Sequence, residues 1–216
     1  MLAALVSTRQ QYDYLFSIYV PIAIGVFVAI VAVVFAAVVI YRRRPPERAA
    51  RWHENNRLEG SFAVLLACVA AFLLYLTFTA EHKVDTVANR EHPSVVIRVI
   101  ASKWEWTFDY PAYGIVLRSG TVGRRPLVVP AGEAVRFEIT SVDVIHSFWI
   151  PALRYKHDAI PGSTQIATLV FGRGIFPGQC AEFCGLRHAD MIFTAQAVSP
   201  SAFAAWARSR GAAPAP

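Results

Sequence analysis

Ala134-Val135-Arg136-Phe137-Glu138-Ile139-Thr140 alternates apolar and polar residues over most of its length. Side chains on an extended chain point to opposite faces in turn, so this stretch predicts a strand with one face buried. Working outward, β-branched runs recur at 95–100, 126–130 and 166–171, and again at 191–198. Turn formers separate them: Pro130-Ala131-Gly132-Glu133, Pro161-Gly162-Ser163 and Pro177-Gly178. Short strands punctuated in this way predict an antiparallel β-sandwich over residues 83–199. Beyond Ser199 the sequence predicts a short helix and then a Gly/Ala/Pro end, giving a C-terminal tail of residues 200–216.

Upstream of the strands the chemistry changes. The chain is 55% hydrophobic yet 17% charged, and its mean hydropathy is +0.40, so the apolar residues must be segregated. Residues 14–41 carry no charge, and neither do residues 60–80. At about 1.5 Å per residue, each run is long enough to cross a hydrocarbon core of about 30 Å. They predict a two-helix transmembrane hairpin over residues 1–82, with spans at about 15–41 and 60–80. The first run is too long for a cleaved leader, and no small-residue cleavage site comes after it. It is succeeded by Arg42-Arg43-Arg44-Pro45-Pro46, then Arg48, Arg51 and Arg57. By the positive-inside rule the loop 42–59 is cytoplasmic, so both termini and the strand domain lie on the extracytoplasmic side of the cell membrane. Membrane lipid is therefore a partner. The loop also accounts for much of the net charge of +6, which removes the case for nucleic-acid binding.

The chemistry is concentrated in Gly178-Gln179-Cys180-Ala181-Glu182-Phe183-Cys184-Gly185-Leu186-Arg187-His188-Ala189-Asp190-Met191. A Cys-x3-Cys spacing lets both sulfurs turn inward from one loop, with His188 and Met191 approaching from the far side. Thiolate and thioether donors favour copper, and a thioether is a poor ligand for zinc. A second imidazole, His146, stands close after a predicted strand in Asp143-Val144-Ile145-His146-Ser147-Phe148-Trp149. Each residue has a plainer alternative. Cys180 and Cys184 alone can form a disulfide, a lone His146 at a strand end is usually structural, and Met191 before a strand is usually core. Four such residues in this order make the metal site the better reading. The third cysteine, Cys68, lies in an apolar run, and an odd count is a poor disulfide framework.

Residues 143–191 resemble the binuclear copper domain of cytochrome c oxidase subunit II, through His146-Ser147-Phe148-Trp149-Ile150-Pro151, Lys156-His157-Asp158-Ala159-Ile160-Pro161-Gly162 and the cysteine loop. The resemblance implies an α+β membrane protein, in which the hairpin precedes an all-β cupredoxin Greek-key sandwich. It implies two copper ions bridged by Cys180 and Cys184. His146 and His188 would each complete one copper, and Met191 and the Glu182 carbonyl would be weak axial ligands. The Glu182 side chain would reach a magnesium site shared with subunit I. Lys103-Trp104-Glu105-Trp106-Thr107-Phe108-Asp109-Tyr110 is similar to the family's aromatic segment, whose first Trp, here Trp104, accepts the donor's electron. Trp106 and Phe108 read as core. Glu59, in His53-Glu54-Asn55-Asn56-Arg57-Leu58-Glu59, matches a glutamate at the mouth of a proton pathway. It reads equally well as a carboxylate favoured by a helix N-terminus.

Three features depart from the family or bear on its variants. Gly60-Ser61-Phe62-Ala63-Val64 stands where the family has a Trp-Thr pair and a proline, Glu105 replaces a residue that is commonly aromatic, and no Cys-x-x-Cys-His is present to attach haem. The function implied is electron transfer from a cytochrome c type donor, soluble or membrane-tethered, to haem-copper subunit I. Oxygen would be reduced to water there with proton pumping, and subunit III would be a further partner. The alternatives are subunit II of a copper-containing nitric oxide reductase and a free-standing anchored copper carrier; the full ligand set argues against a quinol oxidase. Residues 81–216 carry 14 Lys/Arg and 11 Asp/Glu. This mildly basic balance calls either for a local acidic patch including Glu105 and Asp109, or for a donor that is acidic or tethered.

Overall fold

The computed structural model describes residues 8–42, 54–90, 93–121 and 124–210. Arg43, Arg44, Arg48, Arg51, His53 and the tail 211–216 lie outside the described residues. The chain divides into two compact units, Tyr12–His82 and one made chiefly of Lys83–Pro216.

The first unit is a pair of long helices, drawn from α1 (Thr8–Tyr41) and α2 (Asn56–Arg90). Thr8–Tyr41 and Asn56–Val84 are both long and apolar enough to cross a membrane, with hydropathies of 3.2 and 2.4. Most of their large apolar side chains are exposed, among them Phe27, Phe35, Leu65 and Phe78, as lipid-facing helices require. The Tyr19 hydroxyl ties the two together. It donates to the Leu73 carbonyl at 2.8 Å and lies 2.6 Å from the Thr77 hydroxyl. Helix α2 continues ten residues past the expected end of its span, to Arg90. Residues 81–90 contain no Gly or Pro, and the next stop signal is Pro93.

The second unit is a sandwich of two five-stranded sheets. Its strands are β1 (Val95–Ser102), β2 (Glu105–Tyr110), β3 (Ile115–Gly120), β4 (Leu127–Pro130), β5 (Ala134–Ser141), β6 (His146–Ile150), β7 (Tyr155–Ala159), β8 (Gln165–Val170), β9 (Gly174–Cys180) and β10 (Ile192–Val198). One sheet runs β3-β2-β1-β5-β8 and the other β4-β10-β9-β6-β7. The expectation of an antiparallel sandwich needs one correction, because β1–β5 and β4–β10 pair in parallel. These partners are joined through other strands rather than by hairpins, so nothing forces them to run oppositely. Strand β5 shows the alternation expected of it, burying Val135, Phe137 and Ile139. Phe148 and Phe193 stack at 4.7 Å between centroids in the core. Helix α3 (Pro200–Arg210) closes one end: Phe203 is buried, and Trp206 meets Tyr110 edge-on at 5.4 Å.

Candidate metal centre

Strand pairing assembles the site. β6 runs antiparallel to β9 with Phe148 opposite Cys180, and β9 runs antiparallel to β10 with Gln179 opposite Ile192. The start of β6, the end of β9 and the residue before β10 therefore meet at one end of one sheet. Those positions are His146, Cys180 and Met191. The intervening loop is clamped at its base: Cys180 N–H donates to the Met191 carbonyl and Ala181 N–H to that of Ser147, both at 3.0 Å. Cys184 and His188 hang from this loop.

Each sulfur has its own imidazole and its own weaker donor. Cys180 Sγ lies 3.8 Å from His146 Nδ1 and 3.2 Å from the Glu182 carbonyl oxygen. Cys184 Sγ lies 3.5 Å from His188 Nδ1 and 3.9 Å from Met191 Sδ. The two sulfurs are 3.9 Å apart, far beyond the roughly 2.05 Å of a disulfide. A metal with nitrogen at about 2.0 Å and sulfur at about 2.3 Å holds those two atoms about 3.5 Å apart at a tetrahedral angle. The separations suit ions placed between the donors. Water is largely shut out: His146 and Met191 are fully buried, and both cysteines nearly so.

The electrostatics prepare the first thiolate. Burial pushes the Cys180 thiol up, but bonds from the His146 ring and the neighbouring backbone outweigh it and bring it below the ordinary thiol range. Burial raises Cys184, and the adjacent Cys180 charge raises it further. Burial disfavours the His146 cation, yet Cys180 and Asp143 together hold its pKa above the usual value. His146 Nε2–H donates to Asp143 Oδ1 at 2.9 Å, which leaves Nδ1 to face Cys180. Asp143 also accepts the backbone N–H groups of Lys103 and Val144, each at 2.7 Å. Burial works against the Asp143 anion, but these bonds win and lower its pKa.

Trp104 is half-buried, and its indole N–H donates to the Cys184 carbonyl at 3.3 Å. Gly185 lies against that ring, so close that an added Cβ would sit 3.4 Å from Trp104 Cζ2. Trp106 is fully buried and donates to the Met191 carbonyl at 3.3 Å, so it braces the ligand loop from the core side. Phe108 is core as expected. The Glu182 side chain is exposed. Glu59 lies in the first turn of α2, in the other unit, and the Asn55 N–H donates to its carboxylate at 3.4 Å. The Asn55 side chain in turn accepts from Leu58 N–H at 3.1 Å, so Glu59 has the surroundings of a helix-start carboxylate.

The family description "Cytochrome C oxidase subunit II, periplasmic domain" matches residues 117–198. Cytochrome c oxidase subunit 2 of Alkalihalophilus pseudofirmus is 35% identical over 188 residues, covering 84% of this chain and 53% of that one. The subunit 2 of Cereibacter sphaeroides is 28% identical, covering 94% and 77% respectively. Among solved structures, the periplasmic domain of subunit II of cytochrome oxidase from Bradyrhizobium japonicum superposes with a TM-score of 0.53 at 30% identity, over 95% of that chain and 56% of this one. The chain belongs to the cytochrome c oxidase subunit II family. It spans about half the length of the first curated relatives it matches.

Copper is the metal of the subunit II family, and the donors present suit it. Two soft thiolates, two imidazoles, a thioether and a carbonyl form a set that copper accepts and that harder cations do not. One participant was missed from sequence. Asp143 stood next to the motif without a role, and its position three residues before His146 was the only signal of its hydrogen bond to that ring. Ligand histidines commonly give their second N–H to a carboxylate, which fixes tautomer and orientation.

Proposed function

We propose that the chain is the electron-accepting subunit of a haem-copper terminal oxidase. Electrons would come from a cytochrome c type donor and pass to haem-copper subunit I, with subunit III also present, for reduction of oxygen to water coupled to proton pumping. The observation that carries this reading is the repeated donor pattern, in which each sulfur sits with one imidazole and one weak donor. It favours two copper ions, which Cys180, Cys184, His146 and His188 would hold together with the weaker donors Met191 and the Glu182 carbonyl. When bound, the copper pair supplies a one-electron relay.

The chain's own residues do the rest. Trp106 and Phe148 hold the ligand strands against a rigid aromatic core, which limits movement when the charge changes. Burial keeps water from the thiolates. Trp104 lies between the surface and the Cys184 carbonyl, as a residue receiving the donor's electron would. The exposed Glu182 carboxylate is available for a magnesium ion shared with subunit I, and Glu59 would stand at the cytoplasmic mouth of a proton path. In this reading residues 1–82 form the membrane hairpin, 83–199 the copper domain and 200–216 the tail.

The test is direct. The full chain, purified in detergent and loaded with copper, should bind two coppers, turn purple and show a seven-line hyperfine pattern. Cys180→Ser or Cys184→Ser should abolish that pattern. One copper per chain with four lines would overturn the binuclear assignment. Isolation of the chain from its own membranes without a haem-bearing, oxygen-consuming partner would overturn the oxidase assignment.

A further inference from the structure

Strand β3 ends one sheet of the sandwich and β4 ends the other. A cavity of about 320 Å³ is lined from both of these edge strands, from β10 and from α3. That falls at the lower end of the roughly 300–1,000 Å³ that small-molecule sites span. Its floor is apolar: Leu117 and Val128 are buried, and Pro126, Val198 and Trp206 are half-buried. Ala202 on α3 also lines it, and so small a side chain leaves space that a larger one would fill. Trp206 is held by Tyr110 and Phe203, at 5.4 and 5.5 Å between centroids. Tyr110 is pinned in turn, since its hydroxyl donates to the Val128 carbonyl and accepts the Val128 N–H, each at 2.9 Å. The indole is therefore a fixed wall, and a ligand need not order it on binding.

Arg125 and Arg210 also line the cavity, and both are exposed. Arg125 comes from the β3–β4 connection, where its backbone N–H donates to the Arg118 carbonyl at 3.2 Å. Arg210 comes from the last turn of α3. A cation there is favoured by the helix dipole, which accounts for Arg210 but not for Arg125. Among the described residues no acidic side chain lines the cavity, and neither arginine has an ion-pair partner. Other arginines of the domain are matched: Arg98 by Asp109 and Glu138, Arg118 by Glu105, Arg187 by Asp190. A guanidinium is permanently charged and presents a planar fork of donors that suits a carboxylate. Charge complementarity calls for an anion at the mouth with an apolar body inside.

We propose that this cavity binds a small amphiphilic carboxylate. Its ring or single chain lies against Leu117, Val128 and Trp206, and its carboxylate lies between Arg125 and Arg210. The space is too small for both chains of a phospholipid, so the ligand is a free anion with one apolar body. The copper ligands are not involved. Gln196, which lines the cavity, follows Met191 by five residues, roughly 17 Å along a strand that rises about 3.3 Å per residue. Occupation ties the two edge strands to α3, so it stabilises the domain and leaves the copper spectrum as it was.

The experiment is equilibrium dialysis of the copper-loaded full chain in an uncharged detergent, with 2-naphthoate as the probe and detergent alone as the reference. Binding should saturate at one site per chain with a Kd below about 1 mM. The amide of the same ring system has the body without the charge, and inorganic phosphate has the charge without the body. Each should bind at least about tenfold more weakly, because the charged hydrogen bonds and the buried ring are both needed. Arg125→Gln and Arg210→Gln should each lower the affinity several-fold, and Ala202→Phe should abolish binding by filling the space. An unchanged copper spectrum shows that these variants remain folded. The probe should also raise the thermal midpoint of the wild type but not that of Ala202→Phe, since a ligand that binds only the native state stabilises it. Uptake no greater than that of the detergent would overturn the proposal, as would equal binding of the amide or unaltered affinity in all three variants. If a chain ending at Arg210 binds the probe and the full chain does not, residues 211–216 occupy the cavity and the proposal fails. It fails too if the free chain binds the probe and the assembled complex does not, because a partner subunit then covers the site.

Discussion

At the scale of single residues, Asp143 does more than its place in the sequence announces. One carboxylate takes the His146 ring, the Val144 amide and, from the turn between β1 and β2, the Lys103 amide. Oriented ligands bind metal more tightly, because the protein does not have to immobilise them when the ion arrives. Asparagine has the same size but only one acceptor oxygen, and its amide N–H groups would oppose the donors now pointing at Oδ1 or Oδ2. Asp143→Asn should therefore weaken copper binding by about 10–100-fold, measured by competition with a copper chelator, while the circular dichroism of the sandwich stays the same. Unaltered affinity would show that the core alone orients His146.

At the scale of elements, the site depends on how closely β9 lies on β10. Gly178 is paired directly with Phe193, and a Cβ at that position would collide with the Phe193 ring. That ring is locked by Trp106, Phe108 and Phe148, so it has nowhere to move. Gly178→Ala should destabilise the domain by about 1–3 kcal/mol, read as a lowered midpoint of thermal unfolding; an unshifted midpoint would mean that the strands can part at no cost. The legibility of the elements obeys the same physics. β5 was readable because its two faces differ, and the two apolar helices because no charge interrupts them. β2 was not read as a strand, since Glu105-Trp106-Thr107-Phe108-Asp109-Tyr110 drew notice for its aromatic rings rather than for its period of two. β6, β7 and β9 are five to seven residues long and carry polar or Gly/Pro positions, so only pairing with neighbours makes them strands. The ligands within 178–191 were legible because they are local. The Asp143–His146–Cys180 link was not, because Cys180 reaches His146 across a strand pair and the Lys103 amide reaches Asp143 across forty residues.

At the scale of the whole molecule, charge is divided along the chain in a way that predicts a direction. Six arginines stand from residue 42 to residue 57, between the two uncharged runs, whereas the part from residue 81 onward is nearly balanced at 14 Lys/Arg and 11 Asp/Glu. Arginine-rich short loops stay on the cytoplasmic side because moving them across the bilayer is costly. The hairpin should therefore place the sandwich outside, where a donor can reach it. Two exposed positions report the outcome: Asn56 at the start of α2 and Ala205 on α3. In a copper-loaded Cys68→Ala background, where Cys180 and Cys184 are buried, Ala205→Cys should react with a membrane-impermeant thiol reagent in intact cells. Asn56→Cys should react only after the membrane is opened. The opposite pattern would put the copper site in the cytoplasm and remove the proposed donor from its reach. Replacing Arg42, Arg43 and Arg44 with glutamine should weaken the bias, so that a fraction of Asn56→Cys becomes labelled from outside. If that fraction stays at zero, the remaining arginines or the sandwich itself set the orientation, and the first cluster is not what directs the chain.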